Sequence, residues 1–123
     1  MANILIVDDA KVMRFHIKRL LTEMGQNVVG EAKDGFEAID LYKETKPDFV
    51  TMDLEMPSSH DINSGIDAVK KLLEVDPKAV IVMISSQTDK EKVKEALKNG
   101  AVNYITKPIT IKKLEEIISH LGF

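Results

Sequence analysis

Ile4-Leu5-Ile6-Val7-Asp8-Asp9 sets four apolar residues directly against two acids. An apolar run this short and unbroken reads as a strand buried on both faces, and the acids mark where it leaves the core. Two further stretches repeat the pattern. Phe49-Val50-Thr51-Met52 ends at Asp53, and Val80-Ile81-Val82-Met83-Ile84 ends at Ser85-Ser86. These are the predicted central strands. Asn27-Val28-Val29-Gly30-Glu31-Ala32 is more polar and Asn103-Tyr104-Ile105 is brief, so both suit the edges of a sheet.

Between the strands the period changes to about 3.6. Met13, Ile17, Leu20, Leu21 and Met24 form one helical stripe, and Leu114, Ile117, Ile118 and Leu121 form another. Shorter faces are made by Phe36, Ala38, Ile39 and Tyr42, by Ile66, Val69 and Leu73, and by Val93, Ala96 and Leu97. Asp34-Gly35-Phe36-Glu37 and Thr88-Asp89-Lys90-Glu91 have capping-box spacing, Ser64 suits a cap, and Gly25 and Gly100 fall where left-handed helix ends are expected. A βα unit repeated five times requires parallel strands with right-handed crossovers. The expected fold is therefore α/β, one doubly wound (βα)5 domain over residues 1–123 with helices on both faces of a single sheet.

Composition narrows the function. The 123 residues suit one domain, and 44% hydrophobic with 30% charged residues is the balance of an ordinary globular protein. A net charge of -3, with the 17 Lys and Arg spread along the chain, gives no basic arm for nucleic acid. The absence of cysteine excludes disulfides, thiolate metal sites and cysteine nucleophiles. Neither a signal peptide nor a membrane span is legible, so a cytoplasmic location is the expectation.

In open parallel sheets the ligand site lies at the carboxyl ends of the strands. Asp8 and Asp9, Asp53, Ser85 and then Thr106-Lys107-Pro108 follow the first, third, fourth and fifth strands. Three crowded carboxylates repel one another and raise at least one pKa unless a cation neutralises them. Oxygen ligands in that number, with room for water and phosphate, suit Mg²⁺. An aspartate can then act as nucleophile toward phosphorus, with Lys107 as the balancing cation and Ser85 as hydrogen-bond donor. A new dianion would draw both groups inward, which makes a switch.

Val7-Asp8-Asp9, Met52-Asp53-Leu54-Glu55-Met56-Pro57, Ser85 and Lys107-Pro108 together resemble the receiver domains of bacterial response regulators, over essentially the whole chain. The resemblance implies the CheY-like, flavodoxin-like sheet order 2-1-3-4-5. It implies Asp53 as phosphoacceptor, Asp9 as direct metal ligand, Asp8 acting on the metal largely through water, and Glu55 offering its backbone carbonyl. Lys107 then contacts the phosphoryl group, Ser85 is the switch hydroxyl, Tyr104 is the aromatic that turns inward, and the bond before Pro108 is cis. With no appended DNA-binding or enzymatic domain in the sequence, output is expected from reversible docking of the surface made by the fourth helix, fifth strand and fifth helix. A histidine kinase is the implied donor. Asp8-Asp9-Ala10-Lys11-Val12-Met13-Arg14 is similar to chemotaxis regulators, which points to the flagellar motor switch, with a phosphorelay as the alternative. A phosphatase and a phosphorylation-dependent dimer of an otherwise monomeric protein are further implied partners, and no separate enzymatic substrate is expected.

Two features depart from or refine this pattern. Pro57-Ser58-Ser59-His60-Asp61-Ile62-Asn63-Ser64-Gly65 carries about four extra residues before the third helix, expected to alter access to the site. Glu55 and Gln87, each two residues past a site residue, are expected to tune dephosphorylation. His60, His16 and His120 are read as solvated side chains rather than ligands. A flavin-binding protein would need a Ser/Thr/Gly-rich first loop, and a haloacid-dehalogenase-type phosphatase an Asp-x-Asp pattern. Asp8-Asp9 meets neither requirement.

Overall fold

A computed structural model describes residues 1–56, 60, 62 and 64–123. Five strands, β1 (Asn3–Val7), β2 (Asn27–Ala32), β3 (Phe49–Asp53), β4 (Ile81–Ser85) and β5 (Asn103–Thr106), alternate with five helices. The helices are α1 (Lys11–Glu23), α2 (Gly35–Thr45), α3 (Gly65–Val75), α4 (Lys90–Lys98) and α5 (Ile111–His120). All strand pairs are parallel and the order is β2-β1-β3-β4-β5.

Alternation of side chains along each strand divides the core in two. Leu5, Val7, Val50, Met52, Ile81 and Met83 pack with α2, α3 and α4 through Ala38, Tyr42, Ala68, Val69, Leu72, Val93 and Ala96. Ile4, Ile6, Phe49, Val82, Ile84 and Ile105 pack on the other face with Ile17 and Leu21 of α1 and Leu114, Ile117 and Ile118 of α5. Both faces of β1, β3 and β4 are covered, which is why these strands read as unbroken apolar runs.

The local signals mostly act as the sequence indicates. Asp34 caps α2 by accepting from the Glu37 N–H at 2.8 Å, while the Glu37 carboxylate accepts from the Lys33 N–H at 3.0 Å. Ser64 caps α3 by accepting from the Asp67 N–H at 3.3 Å, and Gly25 and Gly100 have φ of 80° and 116°. Thr88 differs. Helix α4 is capped at Asp89 with no side-chain cap bond, because these polar groups are engaged in the loop beside Ser85. Ser86 Oγ lies 2.8 Å from Asp89 Oδ2 and 3.1 Å from Thr88 Oγ1.

Phe36 is also corrected. Instead of joining the core it is exposed at the start of α2, where its ring stacks on His60 with centroids 3.8 Å apart. His60 is thus an aromatic neighbour rather than a merely solvated side chain. Ile62 of the same loop is buried, seated so closely that a Cβ on Gly35 would lie 2.6 Å from its Cγ2. Pro57, Ser58, Ser59, Asp61 and Asn63, which complete the expected loop extension, lie outside the described residues. Among the described residues no helix is long and apolar enough to cross a membrane.

Candidate functional site

Strand register builds the site. Val7 pairs with Met52, so the next residues, Asp8 and Asp53, emerge side by side at the point where strand order reverses. Asp53 pairs with Ile84, which brings Ser85 alongside, and Ser85 pairs with Thr106, which delivers Lys107. One rim therefore collects residues spread over most of the chain.

Carboxylate oxygens of Asp8, Asp9 and Asp53 all lie within 4.8 Å of one another. Asp8 and Asp53 are buried, and Asp9 faces solvent. Asp8 Oδ1 accepts from the Ala10 N–H at 2.9 Å, whereas buried Asp8 Oδ2 has no partner among the described residues. Arg14 does not reach that carboxylate; its Nη1 donates to the Asp8 backbone carbonyl at 2.7 Å and its Nε lies 3.5 Å from Glu31. Asp53 Oδ1 accepts from the Glu55 N–H at 3.3 Å and lies 3.8 Å from Lys107 Nζ. Ser85 is buried, and among the described residues its hydroxyl has no partner.

These surroundings decide the protonation. Burial, and next the negative charge of Asp8, push the Asp53 carboxyl up to about 7, against the opposing pull of Lys107 and the Glu55 amide. Burial likewise raises the Asp8 carboxyl, partly offset by the Ala10 amide and Lys107. The charge repulsion expected from the sequence is present. A single lysine does not neutralise it, and the unpartnered Asp8 oxygen is a ready position for a hard cation or its water.

The remaining site residues lie at the rim. The Glu55 side chain is ion-paired with Lys92 of α4 across the mouth. Gln87 Nε2 donates to the Lys107 carbonyl at 3.4 Å, and the Lys107–Pro108 bond is cis. Tyr104 is 44% exposed, so its ring points outward. It borders a groove of about 580 Å³ that runs between α4 and β5 to Ser85.

Three residues at the site escaped sequence reading. A Cβ on Gly65 would lie 2.3 Å from the Asp53 carbonyl oxygen and 2.9 Å from Leu54 Cα, so α3 starts in contact with the backbone that carries Asp53. Lys113 Nζ donates to the Thr106 carbonyl at 2.8 Å and to the Pro108 carbonyl at 3.0 Å. His16 Nε2 meets the Ile109 carbonyl at 2.9 Å, so it is a fastening rather than a free solvated side chain. The only sequence signal for any of them is Gly65 at a helix start after Ser64; the other two contacts are long-range.

An open parallel sheet with an acidic, lysine-flanked pocket at its switch point defines a doubly wound α/β domain whose ligand site lies at the carboxyl ends of its strands. Within that class the chain belongs to the response regulator receiver domain family, whose pattern it matches over residues 4–119. It is 43% identical over 120 residues to the chemotaxis protein CheY of Thermotoga maritima, covering 98% of this chain and 97% of that protein. It is 41% identical over 117 residues to the chemotaxis protein CheY of Bacillus subtilis, covering 95% and 94%. Among solved structures it is similar to the CheX-CheY-BeF3-Mg complex from Borrelia burgdorferi, with TM-score 0.87, 33% identity and coverage of 98% of this chain and 90% of that one.

Proposed function

We propose that this receiver domain is a Mg²⁺-dependent phosphorylation switch, taking a phosphoryl group from a histidine kinase on Asp53 and signalling by phosphorylation-dependent binding to a protein target. The observation that carries this is the convergence of three carboxylates within 4.8 Å, one with an unpartnered buried oxygen, against a lysine ammonium 3.8 Å from Asp53. Asp8, Asp9, Asp53 and the Glu55 backbone carbonyl would hold the ion. Bound there, Mg²⁺ would favour the ionised form of Asp53 and would offset charge on the phosphoryl oxygens.

The chain's own groups then have separate tasks. An ionised Asp53 oxygen attacks phosphorus, the new O–P bond replaces the P–N bond of phosphohistidine, and the imidazole leaves with the electron pair. Lys107 faces the transferred group with its fixed positive charge. Ser85, whose hydroxyl has no partner among the described residues, donates to a phosphoryl oxygen and draws its loop inward. Tyr104 can then turn from the surface into the adjoining groove, which reshapes the α4–β5–α5 surface.

A chemotaxis role, with the flagellar motor switch as target, is supported by likeness to the two chemotaxis proteins. The BeF3- and Mg-containing complex of a 33% identical chain supports the metal and phosphoryl reading. On this account the protein acts in the cytoplasm as a monomer or phosphorylation-induced dimer. It acts on no separate substrate, and a phosphatase resets it. A phosphorelay intermediate would use the same chemistry but pass the group onward. A phosphorylation-independent binding module would not be labelled at all.

Transfer from a radiolabelled chemotaxis histidine kinase tests the proposal. Label is expected to pass to the chain within minutes in Mg²⁺ and not to Asp53→Asn. Equal labelling of both proteins, or none of the parent, contradicts it.

A further inference from the structure

The segment that carries Lys107 is held by side chains at four consecutive carbonyls. Thr106 O and Pro108 O accept from Lys113 Nζ at 2.8 Å and 3.0 Å, Lys107 O accepts from Gln87 Nε2 at 3.4 Å, and Ile109 O lies 2.9 Å from His16 Nε2. A carbonyl can only accept, so His16 Nε2 is the donor in this contact. Three separate elements, α5, the β4–α4 loop and α1, thus fix one short loop. Lys113 is distinctive within this set. Its ammonium grips the carbonyls on both sides of Lys107 and lies 3.5 Å from Thr106 Oγ1, so its three donors match three acceptors.

We propose that Lys113 is a positioning residue for phosphoryl transfer, clamping the two carbonyls that flank Lys107 and so keeping the Lys107 ammonium within reach of Asp53. The role rests on the phosphorylation switch proposed above and adds to it a residue on α5. The Lys107 side chain is 36% exposed and its ammonium lies 3.8 Å from Asp53 Oδ1, so its long stem does not fix its own direction. Backbone placement must do so. The Lys107 N–H is tied to the Ser85 carbonyl at 2.8 Å, and Lys113 holds the carbonyls of the residue before and the residue after it. Charge-assisted bonds from an ammonium are strong enough for this task, and an error of about 1 Å in placing a reacting group can cost about a hundredfold in rate. Because Lys113 also lines the groove between β5 and α5, anything that binds there touches the clamp.

Lys113→Met keeps the stem and removes the charge and all three donors. Its phosphorylation rate with acetyl phosphate in Mg²⁺ is expected to fall about tenfold, with Lys113→Arg restoring most of the loss. In a Lys107→Ala background the same change should matter less than about twofold, since a positioning residue acts only through what it positions. Hydrogen exchange at the Lys107 amide should also accelerate in Lys113→Met while exchange in β1 and β3 is unchanged. A loss that persists in full without Lys107, or an unaltered rate, overturns the proposal. If the parent itself takes up no phosphoryl group, the switch reading fails, and exchange at the Lys107 amide alone decides the clamp: unchanged protection refutes it.

Discussion

At pH 8 without divalent cation, Asp53→Asn is expected to be more stable than the parent protein by about 2–4 kcal/mol, measured by urea unfolding. The parent carries an aspartate that is 3% exposed, next to a second buried carboxylate, with its pKa pushed up to about 7 by burial first and Asp8 second. In the unfolded chain the same group titrates near 4. Between about pH 4 and pH 7 the folded state therefore binds more protons than the unfolded one, so stability falls as pH rises through this window. Above the folded pKa both states are ionised and the whole penalty, about 4 kcal/mol at most, is present. Asparagine has no charge to desolvate. The two proteins should converge near pH 4, and Mg²⁺ at pH 8 should stabilise the parent more than the variant. A parent that is the more stable of the two at pH 8 without metal would show that the acidic pocket is already neutralised.

Gly65→Ala is expected to lower stability by about 1–3 kcal/mol and to slow phosphorylation of Asp53. Helix propensity alone argues the reverse, since alanine is favoured over glycine inside helices by up to about 1 kcal/mol. Space decides the sign. A methyl at this position would sit 2.3 Å from the Asp53 carbonyl oxygen and 3.0 Å from that of Leu54. Both are backbone atoms of the segment that carries the acceptor, and Gly65 N–H itself bonds to Leu54 O at 3.2 Å. Either α3 moves away or the Asp53 backbone does. The first costs packing of Ile66, Val69 and Leu72, and the second displaces the nucleophile. A thermal melt that rises, with normal phosphoryl uptake, would contradict this close approach.

Much of the fold was legible because both periods were clean. β1, β3 and β4 are covered on both faces and so read as apolar runs, and each ends within one residue of its expected position. The acidic rim was equally legible. Asp8, Asp9, Asp53, Ser85 and Lys107 each stand at a strand end, so the strand ends alone place them on one rim. What the sequence conceals is sideways contact between distant segments. Lys113 lies among the charged residues Lys112, Glu115 and Glu116 and looks like part of a solvated helix face, yet it is aimed back at the loop preceding its own helix. Phe36 satisfies the helical period but is exposed in the first turn, where its ring stacks on His60 instead of joining the core. Thr88 has capping-box spacing, but the hydroxyl of Ser86 competes for the same polar groups.

The most direct test of the central claim is the intact mass of the parent protein and of Asp53→Asn after exposure to phosphoramidate, with and without Mg²⁺. A single phosphoryl adduct on the parent, present with Mg²⁺ and absent without it and absent from Asp53→Asn, is the predicted result. An unmodified parent in Mg²⁺, or an adduct that survives replacement of Asp53, would contradict the assignment of this rim as a phosphoacceptor site.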